Sequence, residues 1–326
     1  MRKKEKRDMR IVFMGTPDFA VDALQALIEA GHQVAAVVTQ PDKPKGRGKE
    51  LQMTPVKVCA VAHDIPVFQP VKIKDPEAVA VLRGYQADIF VVAAFGQILS
   101  EEILAMPKYG CVNIHASLLP KYRGAGPIQW AIIDGEKKTG VTIMQMEKGL
   151  DTGDMLMQTE VEITSRETAD TLHDKLAAAG ARLIVEALPK IEAGQVTPRK
   201  QNDAESCYAK MLTKSMGRID WSMEAEKLDC LIRGLISWPG AAAILRGKTL
   251  KIWEEEPADA ASFAAQTDSK EPGVVLAVEK DAFYVQTGSG VLKVTAVQPE
   301  GKRRMAVKDF LLGYSIKAGE MFTGRD

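Results

Sequence analysis

The chain has 326 residues, 46% of them hydrophobic, and carries 43 Lys plus Arg against 43 Asp plus Glu. That length buries a sizeable core and suits two domains, while the balanced charge leaves any attraction to nucleic acid to local patches. Its four cysteines, Cys59, Cys111, Cys207 and Cys230, lie far apart without CxxC or His spacing, which argues against a disulfide framework or a zinc site and for a reduced, cytoplasmic setting.

The charged start MRKKEKRDMR leads into an apolar run that soon meets Gly15, Pro17 and Asp18, so it lacks the apolar core and cleavage site of a secretion signal. Residues 1–9 are expected to be a solvated extension, with Met1 and Met9 both open as translation starts. No apolar stretch reaches the ~18 to 20 residues that span a bilayer, which predicts a soluble protein with no membrane partner. Arg10–Pro17 then reads as a buried strand, Asp18–Ala30 as a helix closed by Gly31, and Gln33–Gln40 as a second apolar strand. Further apolar runs at Pro66–Phe68, Asp88–Phe95 and Gly110–His115 alternate with helical segments at Pro55–His63, Pro76–Arg83 and Gly126–Ile133. This alternation predicts an α/β fold with a doubly wound, mostly parallel sheet of Rossmann-like type. A strand after Gly140 runs through Lys148–Gly153 into a hairpin-type return, and a long helix over Thr168–Ala193 closes the domain.

From Gly194 the character changes. The chain is expected to divide into a first domain over 10–196, a linker over 197–215 and a second domain over 216–326. Trp221–Ile236 reads as helix, followed by a hairpin turning at Gly247 and an antiparallel series with turns at Lys280–Asp281 and Gly288–Gly290. A smaller β-barrel of OB type fits that pattern.

The first strand-turn-helix invites a dinucleotide reading and fails it. Only Gly15 is present where GxGxxG needs more glycines, so NAD is not expected, and no Walker A loop occurs. The segment PDKPKGRGKE alternates Lys43, Lys45, Arg47 and Lys49 with Pro and Gly. By composition it is a solvated loop or one that tracks phosphates. The triplet Asp151-Thr152-Gly153 raises an aspartic protease, but that chemistry needs two carboxylates sharing a proton, and this chain has one copy on an α/β background.

Asn113 and His115 stand two apart at the end of an apolar run, and in a strand that spacing puts both on one face. The Pro- and Gly-rich segment after them places the pair at a strand's carboxyl end, where open α/β sheets bind ligands. An ordinary buried His with an Asn bonded to its loop is the plain alternative. With Asp151 in the same cleft, however, acyl transfer becomes sensible: an amide and an imidazole N–H donate to the oxyanion formed when an amine attacks a carbonyl, and the carboxylate orients the ring. No metal and no covalent intermediate is needed.

These residues carry a resemblance. RIVFMGTPDFA, TQPDKPKGRGKE with TPVK, VNIHASLLPKYRGAGPIQWAI, GLDTGDM, and the later DWS and SWPGA are similar to the methionyl-tRNA formyltransferase family over essentially everything from Met9 onward. The resemblance implies formyl transfer from 10-formyltetrahydrofolate to the amino group of initiator Met-tRNA, with Asn113, His115 and Asp151 as the catalytic group. It implies folate contacts at Ser117, Leu118, Leu119 and Pro120 and at Phe95, Gly96, Gln97 and Ile98. It also assigns the acceptor end of the tRNA to Lys43, Lys45, Arg47 and Lys49, and further phosphate contacts to Lys210, Lys214, Lys302, Arg303 and Arg304. A monomer is expected. Two rivals stand beside it: a formyltransferase for a sugar amine or glycinamide ribonucleotide, and a noncatalytic RNA-binding protein on the same scaffold.

Overall fold

The computed structural model describes residues 9–45 and 50–323. They fall into two compact units, one taking residues through 127, 138–162 and 173–209, the other 128–137, 163–172 and 210 onward.

The chain enters through β1 (Arg10–Gly15), a buried strand, then a 3-10 turn at Asp18–Ala20 and α1 (Val21–Glu29). Gly15 allows that turn, since a Cβ there would lie 2.7 Å from the Ala20 methyl. β2 (Gln33–Val38) follows, and β3 (Lys43–Lys45) pairs with β4 (Glu50–Gln52) as a short antiparallel ribbon. α2 (Pro55–Ala62) starts on a proline after Thr54, whose hydroxyl accepts from Lys57 N at 3.2 Å, a helix start legible in the sequence. Next come β5 (Val67–Phe68), α3 (Pro76–Gly84), β6 (Ile89–Ala93), α4 (Glu101–Leu104) and β7 (Cys111–His115). β8 (Arg123–Gly124), α5 (Pro127–Ile133), β9 (Lys138–Gln145), β10 (Met155–Glu162), α6 (Ala169–Glu192) and β11 (Tyr208–Ala209) complete this part of the chain.

The large sheet has the order β10-β9-β7-β6-β1-β2-β5. Its five strands from β7 to β5 are parallel, β9 runs antiparallel to β7, and β10 returns antiparallel to β9. The doubly wound, mostly parallel sheet is therefore borne out, and the expected return is the β9–β10 hairpin. Strand order reverses beside β1, the kind of position where open α/β sheets place ligands beyond the strand ends. One face buries Val12, Met14, Val38, Phe90 and Val92. Along β7 the side chains alternate: Ile114, 3% exposed, packs under α6, where a Cβ on Gly180 would stand 2.8 Å from its Cγ2. Asn113 and His115 consequently share the opposite face.

The second unit contains α7 (Ala225–Gly234), β12 (Ala241–Leu245), β13 (Lys248–Ala258), β14 (Val275–Val278), β15 (Phe283–Gln286), β16 (Val291–Pro299), β17 (Met305–Ala306), α8 (Val307–Gly313) and β18 (Phe322–Thr323). Its antiparallel sheet runs β14-β15-β16-β13-β12-β18. A bridge between Val274 and Met321, with Phe322 N donating to Gly273 O at 2.8 Å, brings the outer strands together, so the sheet curls into the expected small barrel. The β12–β13 hairpin turns on Arg246 and Gly247, both at positive φ (51° and 73°), as a two-residue primed turn requires. The helix predicted from Trp221 begins only at Ala225. Trp221 is buried in the barrel core, and Gly288 N donates to the carbonyls of both Trp221 and Met223, holding 221–223 as a turn against the sheet. Among the described residues no helix is long and apolar enough to cross a membrane.

Candidate active site

β7 ends in His115, which is 5% exposed, and the chain then folds back over the strand end. The returning segment is tied by Ser117 Oγ donating to Lys121 O at 2.6 Å and by Thr142 Oγ1, which donates to Ser117 O at 2.7 Å and accepts from Leu119 N at 3.1 Å. This fold-back sets the Tyr122 carbonyl 2.8 Å from His115 Nε2. A carbonyl only accepts, so Nε2 carries a proton and donates to it. The other ring nitrogen, Nδ1, faces Asp151 Oδ2 at 3.8 Å. That separation exceeds a hydrogen bond, so the direct carboxylate–imidazole bond expected from the sequence is a near approach in this structure. Asp151 Oδ2 instead accepts from Gly124 N at 2.8 Å.

The Asn113 amide makes no hydrogen bond among the described residues, and its backbone pairs with Val92 and Met144. Cys111 lies on the same face but is fully buried, and burial pushes its thiol up to about 12. It is a packing residue and no nucleophile at neutral pH. Asp151 sits in the β9–β10 connection, where glycines are sterically required: a Cβ on Gly149 would strike Thr152, and one on Gly153 the Gln145 carbonyl. Three non-glycine residues of the loops at this end of the sheet, Ala94, Tyr122 and Asp151, adopt left-handed backbone at φ 47°, 59° and 54°. Such conformations persist where the surroundings hold them and cluster at functional sites.

The predicted folate residues divide into those that support the loops and those that remain open. Ser117 is fully buried and committed to its loop, and Leu119 joins Met144 and Met155 in a small apolar cluster. Leu118 and Pro120 are half-buried. The Phe95 side chain packs in the core while its carbonyl accepts from Thr16 Oγ1 at 3.0 Å and Gln40 Nε2 at 3.2 Å. Gly96 has φ 83° and Gln97 spends its amide on Ile73 N and Pro70 O, whereas Ile98 is 84% exposed.

Of the basic loop, Lys43 is exposed on β3, while Arg47, Lys49 and the Lys45 side chain lie outside the described residues. The loop is anchored at its base by Asp42, which takes Lys57 Nζ at 2.5 Å and Gln69 Nε2 at 2.7 Å; these hydrogen bonds, that of Lys57 foremost, lower its carboxyl pKa. Lys210, Lys214, Lys302 and Arg303 are exposed in the second unit. Arg304 is exposed too but already pairs with Glu254 and lies over the Trp253 ring at 5.0 Å.

The sequence offered no signal for several partners. The Tyr122 carbonyl and the Gly124 N–H are backbone groups, and Arg123, 3% exposed, was visible only as part of the Tyr-Arg-Gly run. Residues 199–209 pack onto the site loops: Arg199 bridges to Met155, and β11 pairs in parallel with β8.

A buried imidazole and an amide on one strand face, with a carboxylate at the neighbouring loop, on a mostly parallel sheet followed by a small barrel, define a group-transfer enzyme of the formyl transferase type. The family model described as formyl transferase matches residues 9–188, and that described as formyl transferase, C-terminal domain, matches 211–315. A methionyl-tRNA formyltransferase of Agathobacter rectalis is 52% identical over 315 residues, covering 97% of this chain and 100% of the relative, and one of Lachnospira eligens is 55% identical over 313 residues, covering 96% and 99%. The chain belongs to the methionyl-tRNA formyltransferase family. Among solved structures, an N-formyltransferase from Helicobacter canadensis in complex with folinic acid and dTDP-3-aminofucose shares the fold at TM-score 0.64 and 19% identity, covering 89% of this chain and 99% of that one. HypX from Aquifex aeolicus in complex with tetrahydrofolic acid does so at TM-score 0.63 and 17% identity, covering 96% of this chain and 50% of that one.

Proposed function

We propose that this enzyme moves the formyl group of 10-formyltetrahydrofolate to the amino group of initiator Met-tRNA, with Asn113, His115 and Asp151 as its catalytic group. The observation that carries the reading is the fixed orientation of His115: Nε2–H is spent on the Tyr122 carbonyl, so Nδ1 is the working nitrogen and it looks toward Asp151. The neutral amine attacks the formyl carbon, a C–N bond forms, and the carbonyl oxygen becomes an oxyanion. The unbonded Asn113 amide donates to that oxygen. Nδ1 takes the proton shed by the amine, and as an N–H it donates to the oxyanion and returns the proton to N10 as the C–N10 bond breaks. Asp151 faces that nitrogen, and its charge offsets the one the ring gains while it carries the amine's proton. An α-amino group has a pKa of about 7.7 to 8, so little general-base strength is required.

In this reading Ser117–Pro120 and Phe95–Ile98 border the folate, mostly through backbone groups and the open Leu118, Pro120 and Ile98. Lys43, Lys45, Arg47 and Lys49 hold the acceptor end, and Lys210, Lys214, Lys302, Arg303 and Arg304 contribute phosphate contacts. Residues 10–196 act as the catalytic domain, 197–215 connect, and 216–326 follow the tRNA; the protein works as a cytoplasmic monomer. The test is single-turnover formyl transfer with Met-tRNA and, separately, with a small sugar amine. Asn113→Ala and His115→Ala each lower the rate by ~10² to 10³, the usual cost of one oxyanion donor. Parent-like rates in both variants would sink the assignment, and turnover with the small amine alone would move the acceptor to the sugar class.

A further inference from the structure

We infer that Gln201 is a positioning residue for formyl transfer, a side chain that ties the Asp151 loop to the loop that orients His115. The inference rests on the catalytic group proposed above. Gln201 Nε2 donates to the carbonyls of Asp151 and Gly153 at 2.7 and 2.8 Å, and its Oε1 accepts from Arg123 Nε at 2.9 Å. Both hydrogens and the oxygen of one amide are thus committed to two loops that approach each other only through tertiary structure.

Each end of this brace leads to a catalytic side chain. Arg123 is buried, it is held a second time by Asp203 at 2.8 Å, and it follows Tyr122, whose carbonyl receives His115 Nε2–H. Its backbone N donates to Cys207 O at 2.9 Å, so the fold-back is fixed from the same 201–209 segment. Gly124, next along, donates its N–H to Asp151 Oδ2, and Gln201 grips that residue's own carbonyl. The result is a closed circuit from His115 through Tyr122, Arg123, Gln201 and Asp151 to Gly124. Both Tyr122 and Asp151 are in left-handed backbone, which an isolated loop would relax out of. The circuit opposes that relaxation and keeps Nδ1 facing the carboxylate. It also explains why a stretch with the composition of a linker is folded against the site.

The experiment compares Gln201→Ala and Gln201→Glu with the parent and with Asp151→Asn in single-turnover transfer to Met-tRNA, alongside steady-state KM and thermal denaturation. Glutamate keeps the size and the acceptor for Arg123 but cannot donate to the two carbonyls. The expected result is a loss of roughly 10- to 100-fold in kcat for both Gln201 variants, the scale of a displaced reacting group, with KM for Met-tRNA within about two-fold of the parent. The loss shrinks when Gln201→Ala is placed in the Asp151→Asn background, because the brace acts through that carboxylate. A side chain that only fills space would be rescued by glutamate and would add fully to Asp151→Asn. Parent-like kcat in both Gln201 variants, rescue by glutamate, or full additivity overturns the inference while a slow Asp151→Asn leaves the functional reading intact. A parent-like Asp151→Asn overturns both.

Discussion

At the scale of single residues, the site depends on backbone groups that side-chain reasoning does not reach. Gly124 supplies the N–H that holds Asp151, at φ 110°, and a Cβ there would lie 2.9 Å from the Ala209 carbonyl. Gly124→Ala therefore meets an unfavourable backbone region and a collision with backbone that cannot swing aside. We expect a destabilisation of about 1 to 3 kcal/mol in chemical denaturation and a kcat loss exceeding that of a remote surface Gly→Ala. A kcat equal to the parent's would show that the Gly124–Asp151 bond is dispensable. Of the candidate site, the sequence pointed to the residues with a side-chain pattern: Asn113 and His115 by their two-residue spacing, Asp151 by its glycine-flanked turn. The Tyr122 carbonyl and Gln201 were not legible, because a carbonyl has no residue signature and Gln201 comes near Asp151 only across a separation of 50 residues.

At the scale of elements, β7 takes its register from β6 and β9 and packs closely against the helix behind it. Gly180 in α6 lets that helix approach Ile114, the strand residue between Asn113 and His115. Two effects compete in Gly180→Ala. Helix propensity favours alanine by about 1 kcal/mol, while overpacking a tight interface costs about 1 to 3 kcal/mol. The new methyl would meet Ile114 Cγ2 at 2.8 Å, on a β-branched side chain of restricted χ1, so overpacking wins. Gly180→Ala should lower the midpoint of urea unfolding and slow formyl transfer, and Ile114→Ala should relieve part of the cost in the double variant. A midpoint that rises would mean the helix yields freely. The sheet strands and the longer helices of this unit were legible from their apolar runs, whereas the short β3–β4 ribbon, α4, β8 and β11 carry too little apolar pattern to be read. The start of α7 was not: Trp221 fits a helical period, yet its ring is needed in the barrel core and its carbonyl is taken by Gly288. Local pattern and tertiary demand conflicted there, and tertiary demand prevailed.

For the molecule as a whole, balanced charge removes net self-repulsion as the main source of pH sensitivity near neutrality, so individual buried groups decide it. The group that stands out is Glu255 of β13, turned inward where the β13–β16 register shifts around Glu254, and 2% exposed. Arg166 and Arg233 are close by, but they direct their hydrogen bonds to Asp229, to the Glu167 carbonyl and to the Glu255 carbonyl, leaving both carboxyl oxygens of Glu255 without a partner among the described residues. Burial, reinforced by Asp229 and opposed by Arg166 and Arg233, pushes its pKa up from 4.5 to about 8. The sign of the consequence follows from proton counting. Between pH 4.5 and about 8 the folded chain holds a proton on Glu255 that the unfolded chain has released, so unfolding becomes easier as pH rises. The contribution is fully present below pH 4.5 and lost once pH passes about 8, on the order of a few kcal/mol in all. Glu255→Gln keeps the shape and cannot ionise. Measured by urea unfolding, its stability relative to the parent should climb with pH by up to about 1.4 kcal/mol per unit and level off above about pH 8. A parent and variant that track each other in parallel from pH 6 to 9 would mean that Glu255 is already ionised in the fold, with the two arginines outweighing its burial.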